Sequence, residues 1–240
     1  MRSFVRKFGF AAIIVLAAVL VLILVNRAVY GIANEHGTYC KSASGLREVT
    51  DTETRAPSKF STAGFCWASG LSVTQGNRYR ITLTIPEGEP DWFDYDVHTD
   101  IEGYPAEPGD YIHILATPIK RRWHADWFKP IARIGSGGNE EYVLDPVTPL
   151  PPLPDGVPRG QRVCVEQPDH FKPIDAESAA RVKPRAGRRQ LISEIQARSS
   201  GELFLYVNDA ALAIFPGWPT DKFYWNNSGR AEVTVIRLSK

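Results

Sequence analysis

The sequence predicts an all-β protein, an antiparallel β-sandwich standing behind one N-terminal transmembrane helix. Three observations carry this. Residues 79–85, 201–207 and 231–238 alternate apolar and polar side chains at the period of a half-buried strand. Residues 8–25 form an uncharged apolar run of 18, long enough to cross a bilayer at ~1.5 Å per helical residue. The 18 prolines and 19 glycines punctuate the remainder so densely that only residues 175–182 read as a further helix, with Asp175 as N-cap and Pro184 as stop.

Taken in order, the chain opens with Arg2, Arg6 and Lys7 in front of the apolar run. That run exceeds the ~7–15 residues of a secretory signal core, and no small-x-small cleavage site follows it at once. Residues 1–30 therefore read as a cytoplasmic N-terminus and uncleaved signal anchor. The basic flank stays in the cytoplasm, which makes the expectation a single-pass inner-membrane protein with its C-terminal domain in the periplasm. Residues 31–59 are polar and without periodicity and read as a spacer; residues 60–240 are the β-sandwich domain.

Within that domain, the turn at Gln75, Gly76 and Asn77 leads into the 79–85 strand. Residues 86–110 carry Pro90, Pro105 and Pro108 and read mostly as loop, with one strand near 95–99. Residues 111–115 read as a short strand, followed by a basic turn at Lys120, Arg121 and Arg122 and a strand over 130–134. The proline-dense 147–160 excludes helix and strand interiors and reads as an extended connection within one sandwich.

The C-terminal stretch, 201–238, is the most informative. Leu203, Leu205 and Val207 give the first strand one strongly apolar face, and the strand ends at Asn208 and Asp209. A loop with Pro216, Trp218 and Pro219 follows, then a polar turn from Phe223 to Gly229 and a closing strand. Two neighbouring strands thus bring Asp209, Asn226 and Asn227 toward one sheet edge, an oxygen-only set of the kind a hard cation such as calcium selects.

The pattern Gly-Glu-Leu-x-Leu-x-x-Asn-Asp at 201–209, with Tyr-x-Asn-Asn-Ser-Gly at 224–229, resembles the end of the LecA-like bacterial galactophilic lectins, calcium-dependent sugar-binding β-sandwiches. Trp67-x-x-Gly70, Gly76 and the 131–135 segment resemble earlier parts of that family. The resemblance implies a jelly-roll of galactose-binding-like type and a calcium site. In it Asp209 supplies the charge, Asn226 and Asn227 side-chain oxygens, and Phe223 a backbone carbonyl, where the family has threonine. Carbohydrate, such as envelope glycan, would meet Asp209, Asn226 and Asn227, with Trp218 and Trp225 flanking. The stretch from Asp209 to Asn226 is longer than in the lectins.

Other chemistry is less well supported. The acid cluster Asp91, Asp94, Asp96, Asp100 with His98 reads as a solvated loop, although period two would align Asp94, Asp96, His98 and Asp100. Neither a nucleophile elbow nor a phosphate loop is present, so the expectation is a non-enzyme. A formal charge of +1 with no basic stripe argues against nucleic acid. Cys40 and Cys66 read as a disulfide if the domain is outside the cytoplasm, leaving Cys164 odd; three reduced cysteines are the alternative. Two functions stand: a membrane-anchored calcium-dependent lectin-like module, or an envelope module on the same fold that binds a protein partner without sugar.

Overall fold

The computed structural model of the chain describes residues 2–106, 108, 110–138, 140–148, 160–162, 171–181, 189–214 and 218–239. Helix α1 (Arg2–Glu35) leads into β1 (Arg47–Glu48), β2 (Thr54–Arg55), β3 (Phe60–Ser61), β4 (Trp67–Val73) and β5 (Arg78–Thr84). Strands β6 (Trp92–Asp94) and β7 (Val97–Thr99) precede helix α2 (Tyr111–Ala116), which runs into a 3-10 turn at Thr117–Ile119. Then come β8 (Pro130–Ile134), β9 (Glu141–Val143), β10 (Gly160–Arg162), helix α3 (Ala176–Arg181), β11 (Gln190–Gln196) and β12 (Gly201–Val207). A second 3-10 turn, Lys222–Asn226, is followed by β13 (Asn227–Ser228) and β14 (Arg230–Leu238).

The strands form three sheets, ordered β1-β4-β12-β8-β9, β11-β5-β14-β2 and β10-β7-β6-β13, with β3 also paired along β14. Leu71 and Val73 of β4 join Leu203, Leu205 and Val207 of β12 in one apolar cluster with Ile81 and Leu83 of β5 and Val233 and Val235 of β14. Alternation explains which side chains these are: on β5 and β14 every second residue is buried. The outward face of β5 carries Arg78 and Arg80, which pair across the sheet with Glu194 of β11 at 2.7 and 2.8 Å. The third sheet adds Trp92 and Val97 to the same core.

The structure corrects several expectations. Residues 111–115 form a helix, because the Asp110 side chain caps the His113 amide and the Thr117 hydroxyl closes back on the His113 carbonyl at 2.8 Å. Local capping here outweighs β-propensity. The 86–110 acid cluster is no solvated loop: β6 and β7 make a tight hairpin, with Tyr95 at a φ of 50°, and Asp91, Asp94, His98 and Asp100 are all buried. Strand β12 has no solvent face, since Phe204 and Tyr206 are as buried as Leu203 and Leu205. Pairing is antiparallel except between β1 and β4, which run parallel.

The 31–59 stretch, expected as a spacer, is built into the folded body. Helix α1 continues to Glu35, Cys40 and Val49 are buried, and β1 and β2 pair with β4 and β14. The buried Glu202 carboxylate explains part of the attachment, accepting from the Ala43 and Gly70 amides at 2.9 Å each. A disulfide joins Cys40 to Cys66 with a Cα separation of 5.3 Å. The proline-dense connection lies largely outside the described residues, as do Cys164 and Pro184. Residues Phe10–Glu35 of α1 are long and apolar enough to cross a membrane.

Candidate functional site

The site grows from the end of β12. Asn208 is consumed by structure: its Nδ2 donates to the carbonyls of Arg122, Ala125 and Asp126 at 2.8, 3.1 and 2.9 Å, and its Oδ1 accepts from the Arg122 amide at 2.8 Å. This clamps the 122–126 loop beneath β8. The next residue, Asp209, is buried; its Oδ1 accepts from the Ala210 amide at 2.6 Å and its Oδ2 from Asn227 Nδ2 at 3.0 Å.

The long excursion from Asp209 to Asn226 is brought back by Tyr224, whose hydroxyl donates to the Val207 carbonyl at 2.7 Å. That bond seats the Lys222–Asn226 turn over the end of β12, and β13 then pairs with β6 through Asn227 and Asp94. Residues far apart in sequence therefore border one cavity of about 260 Å³, lined by Asp94, His113, Trp127, Asp209, Phe223 and Asn226 among others. Asn227 stands behind Asp209; its Oδ1 is buried and accepts no hydrogen bond.

Electrostatics there are severe. Burial, then the nearby Asp94 carboxylate, push the Asp209 carboxyl well above the usual range, with the Asn227 and Ala210 hydrogen bonds pulling the other way. On the opposite wall, Tyr104 donates its hydroxyl proton to Asp94 Oδ2 at 2.7 Å and meets His113 Nε2 at 2.9 Å. His113 Nδ1 bonds Asp110 Oδ2 at 2.6 Å, and Arg162 reaches both Asp110 and Asp96 at 2.8 and 2.7 Å. Burial alone would lower the His113 pKa, but the Asp94 and Asp110 carboxylates win and raise it to about 9. His113 is thus an imidazolium at neutral pH.

An aromatic lip borders the same mouth. Phe171 packs edge-on against Trp218 at 5.5 Å and against Phe223 at 6.2 Å between centroids, while Lys222 Nζ lies 4.0 Å from the Trp225 ring centre. Trp218 and Trp225 are both exposed. By contrast Trp92 and Trp127 are fully buried core residues. No family model, curated protein or solved structure matches the chain.

Of the residues expected to hold calcium, Asp209, Phe223 and Asn226 share the cavity and Asn227 touches Asp209. Among the described residues no three His, Cys, Asp or Glu side chains are grouped to hold a metal ion. The candidate set has a different composition, one carboxylate with amide and carbonyl oxygens, which suits a hard cation. The Asn227 Oδ1, buried and without a hydrogen-bond partner among the described residues, and the Asp94 carboxylate that disfavours ionisation of Asp209 are the two observations that fit it. The sequence reading passed over Tyr104, Asp110, His113 and Arg162 and set Asp94 aside with the acid cluster. The Asp110-x-x-His113 spacing, an N-cap aspartate three before a histidine, was the one local signal available.

Proposed function

We propose that this chain is a membrane-anchored, extracytoplasmic module that binds carbohydrate through a calcium ion. The anchor is α1, single-pass in an inner membrane, and the sandwich, jelly-roll and galactose-binding-like in type, stands on the periplasmic side. The Asp209 carboxylate, the Asn226 and Asn227 side-chain oxygens and the Phe223 carbonyl hold the ion, and sugar hydroxyls complete its shell beside Trp218 and Trp225.

The observation that supports this most is the convergence of Asp209, Phe223 and Asn226 on one cavity that also contains Asp94. Burial and the Asp94 carboxylate disfavour the ionised Asp209, and a divalent cation at this cavity would favour that ionised form. The disulfide between Cys40 and Cys66 suits an oxidising compartment outside the cytoplasm. A protein-binding reading of the same surface draws on the exposed Trp218 and Trp225.

Calorimetry separates the two. The full chain in detergent is titrated with calcium, alongside Asp209→Asn, which keeps shape and removes charge. Heat and a rise in melting temperature in the parent, both lost in the variant, support the calcium site; a glycan array with and without chelator then tests the sugar. Absence of heat at millimolar calcium sinks the lectin reading and leaves the protein-binding one.

A further inference from the structure

We propose that the domain rests on the bilayer that α1 crosses, with the exposed face of α2 seated at the boundary between lipid headgroups and acyl chains. The proposal depends on reading α1 as membrane-spanning. Helix α1 is exposed along 10–22 and at Leu24 and Val25, and contact with the domain begins at Asn26. There the Asn26 Nδ2 donates to the Ala211 carbonyl at 2.9 Å and its Oδ1 accepts from the Ala213 amide at 2.7 Å. One residue on, Arg27 donates to the carbonyls of Pro118 and Lys120 at 3.1 and 3.2 Å. Residues 118–120 and 211–213 are therefore held at the height where the apolar run ends.

Helix α2 runs without a break into the Thr117–Ile119 turn, whose Pro118 carbonyl Arg27 holds, so its C-terminal end starts from that height. Only His113 of α2 is buried in the domain. Tyr111 and Leu115 are 73 and 78% exposed, more than any described large apolar side chain of α1, and Ile112 beside them is 70% exposed at the rim of the cavity. Such a face in water is unfavourable, and next to a membrane span the apolar phase is already within reach, so no diffusional cost is added. Trp123, half exposed, has the Arg27 guanidinium 4.7 Å from its ring centre. An indole with a basic partner is the pairing expected at a headgroup belt. Six residues are too few for α2 to fold on binding lipid, and the Asp110 cap preforms it instead.

The test uses the full chain reconstituted in phosphatidylcholine nanodiscs, in a Cys164→Ser background with Cys40 and Cys66 bridged. Single environment-sensitive labels are placed through Tyr111→Cys, Leu115→Cys, Val19→Cys and Gln75→Cys. Gln75 bonds Ser200, at the opposite end of β12 from Asn208, and serves as the remote control. Labels at 111 and 115 are expected to lose fluorescence roughly two-fold or more to a shallow doxyl lipid and to be shielded from aqueous iodide, as interfacial side chains are. Val19 should be quenched by lipid and Gln75 by iodide. A lipid-quenched Val19 with iodide-accessible 111 and 115 overturns the docking and keeps the span. Shielding at 111 and 115 without lipid quenching means a protein or second copy covers α2, which also overturns it. A Val19 label that lipid does not quench removes the span and the docking together.

Discussion

Asn208 and Asp209 are adjacent and play opposite parts. The first spends every side-chain hydrogen bond on the 122–126 loop, and Asn208→Ala takes its bonds from three partly buried carbonyls and one amide. We expect a loss of roughly 2–3 kcal/mol in urea unfolding, with any calcium response reduced only through stability. His113 allows a pH test. Its folded pKa of about 9 lies above the ordinary 6.5, so its stabilising contribution, on the order of 3 kcal/mol, is complete below 6.5 and disappears as pH rises through 9. Lys120 moves oppositely, because burial pulls its ammonium down to about 8 and stability returns above that. The difference between parent and His113→Gln urea midpoints, measured from pH ~6 to ~10 in chelator, isolates the histidine and should shrink toward zero at the alkaline end.

At the scale of elements, α2 and the Cys40–Cys66 loop are the pieces whose removal is most telling. Asp110→Ala removes the α2 cap, the His113 contact and an Arg162 partner together. Thermal unfolding should show a cost of roughly 1–2 kcal/mol, above that of a cap alone because the ion pairs go with it. The bridge closes a loop with a sequence separation of 26, and reducing it should destabilise by about 3 kcal/mol in the chain-entropy account, read as a fall in melting temperature with reductant. These elements also mark how far local pattern reaches. Strands β5, β8, β12 and β14 were legible because their alternation or apolar runs coincide with the core they bury. Helix α2 was not, since five residues such as Tyr-Ile-His-Ile-Leu satisfy either period and only the Asp110 cap decides. The 40–59 lead-in was illegible for another reason: its strands are two residues long and exist through pairing with β4 and β14, which no local pattern encodes.

For the whole molecule, the candidate site was half readable. Asp209, Asn226 and Asn227 stood out by chemical type in one C-terminal stretch, whereas Asp94 and His113, which Tyr104 ties together, come from a different sheet and a misread helix. What binds the two walls is close packing at Gly103. Its φ is 75°, and an added Cβ would lie 2.2 Å from the Trp127 carbonyl oxygen and 2.5 Å from the Lys129 nitrogen. Gly103→Ala must therefore separate the Tyr104 segment from the Trp127–Lys129 backbone. We expect roughly 3 kcal/mol or more of destabilisation, and loss of any calcium response at temperatures where the variant is still folded, followed by circular dichroism and calorimetry.

The direct seating of α1 on the domain has a consequence for how such a protein searches. Asn26 holds Ala211, two residues beyond Asp209, so no slack chain separates the apolar helix proposed as the span from the cavity. A head on a long leash would sweep a volume and sample ligands from the surrounding fluid. This one would turn only with its helix, at a constant low altitude, and its encounters would be those of a body drifting in a plane. Partners confined to that plane, or polymers lying across it, would be met far more often than anything free in solution.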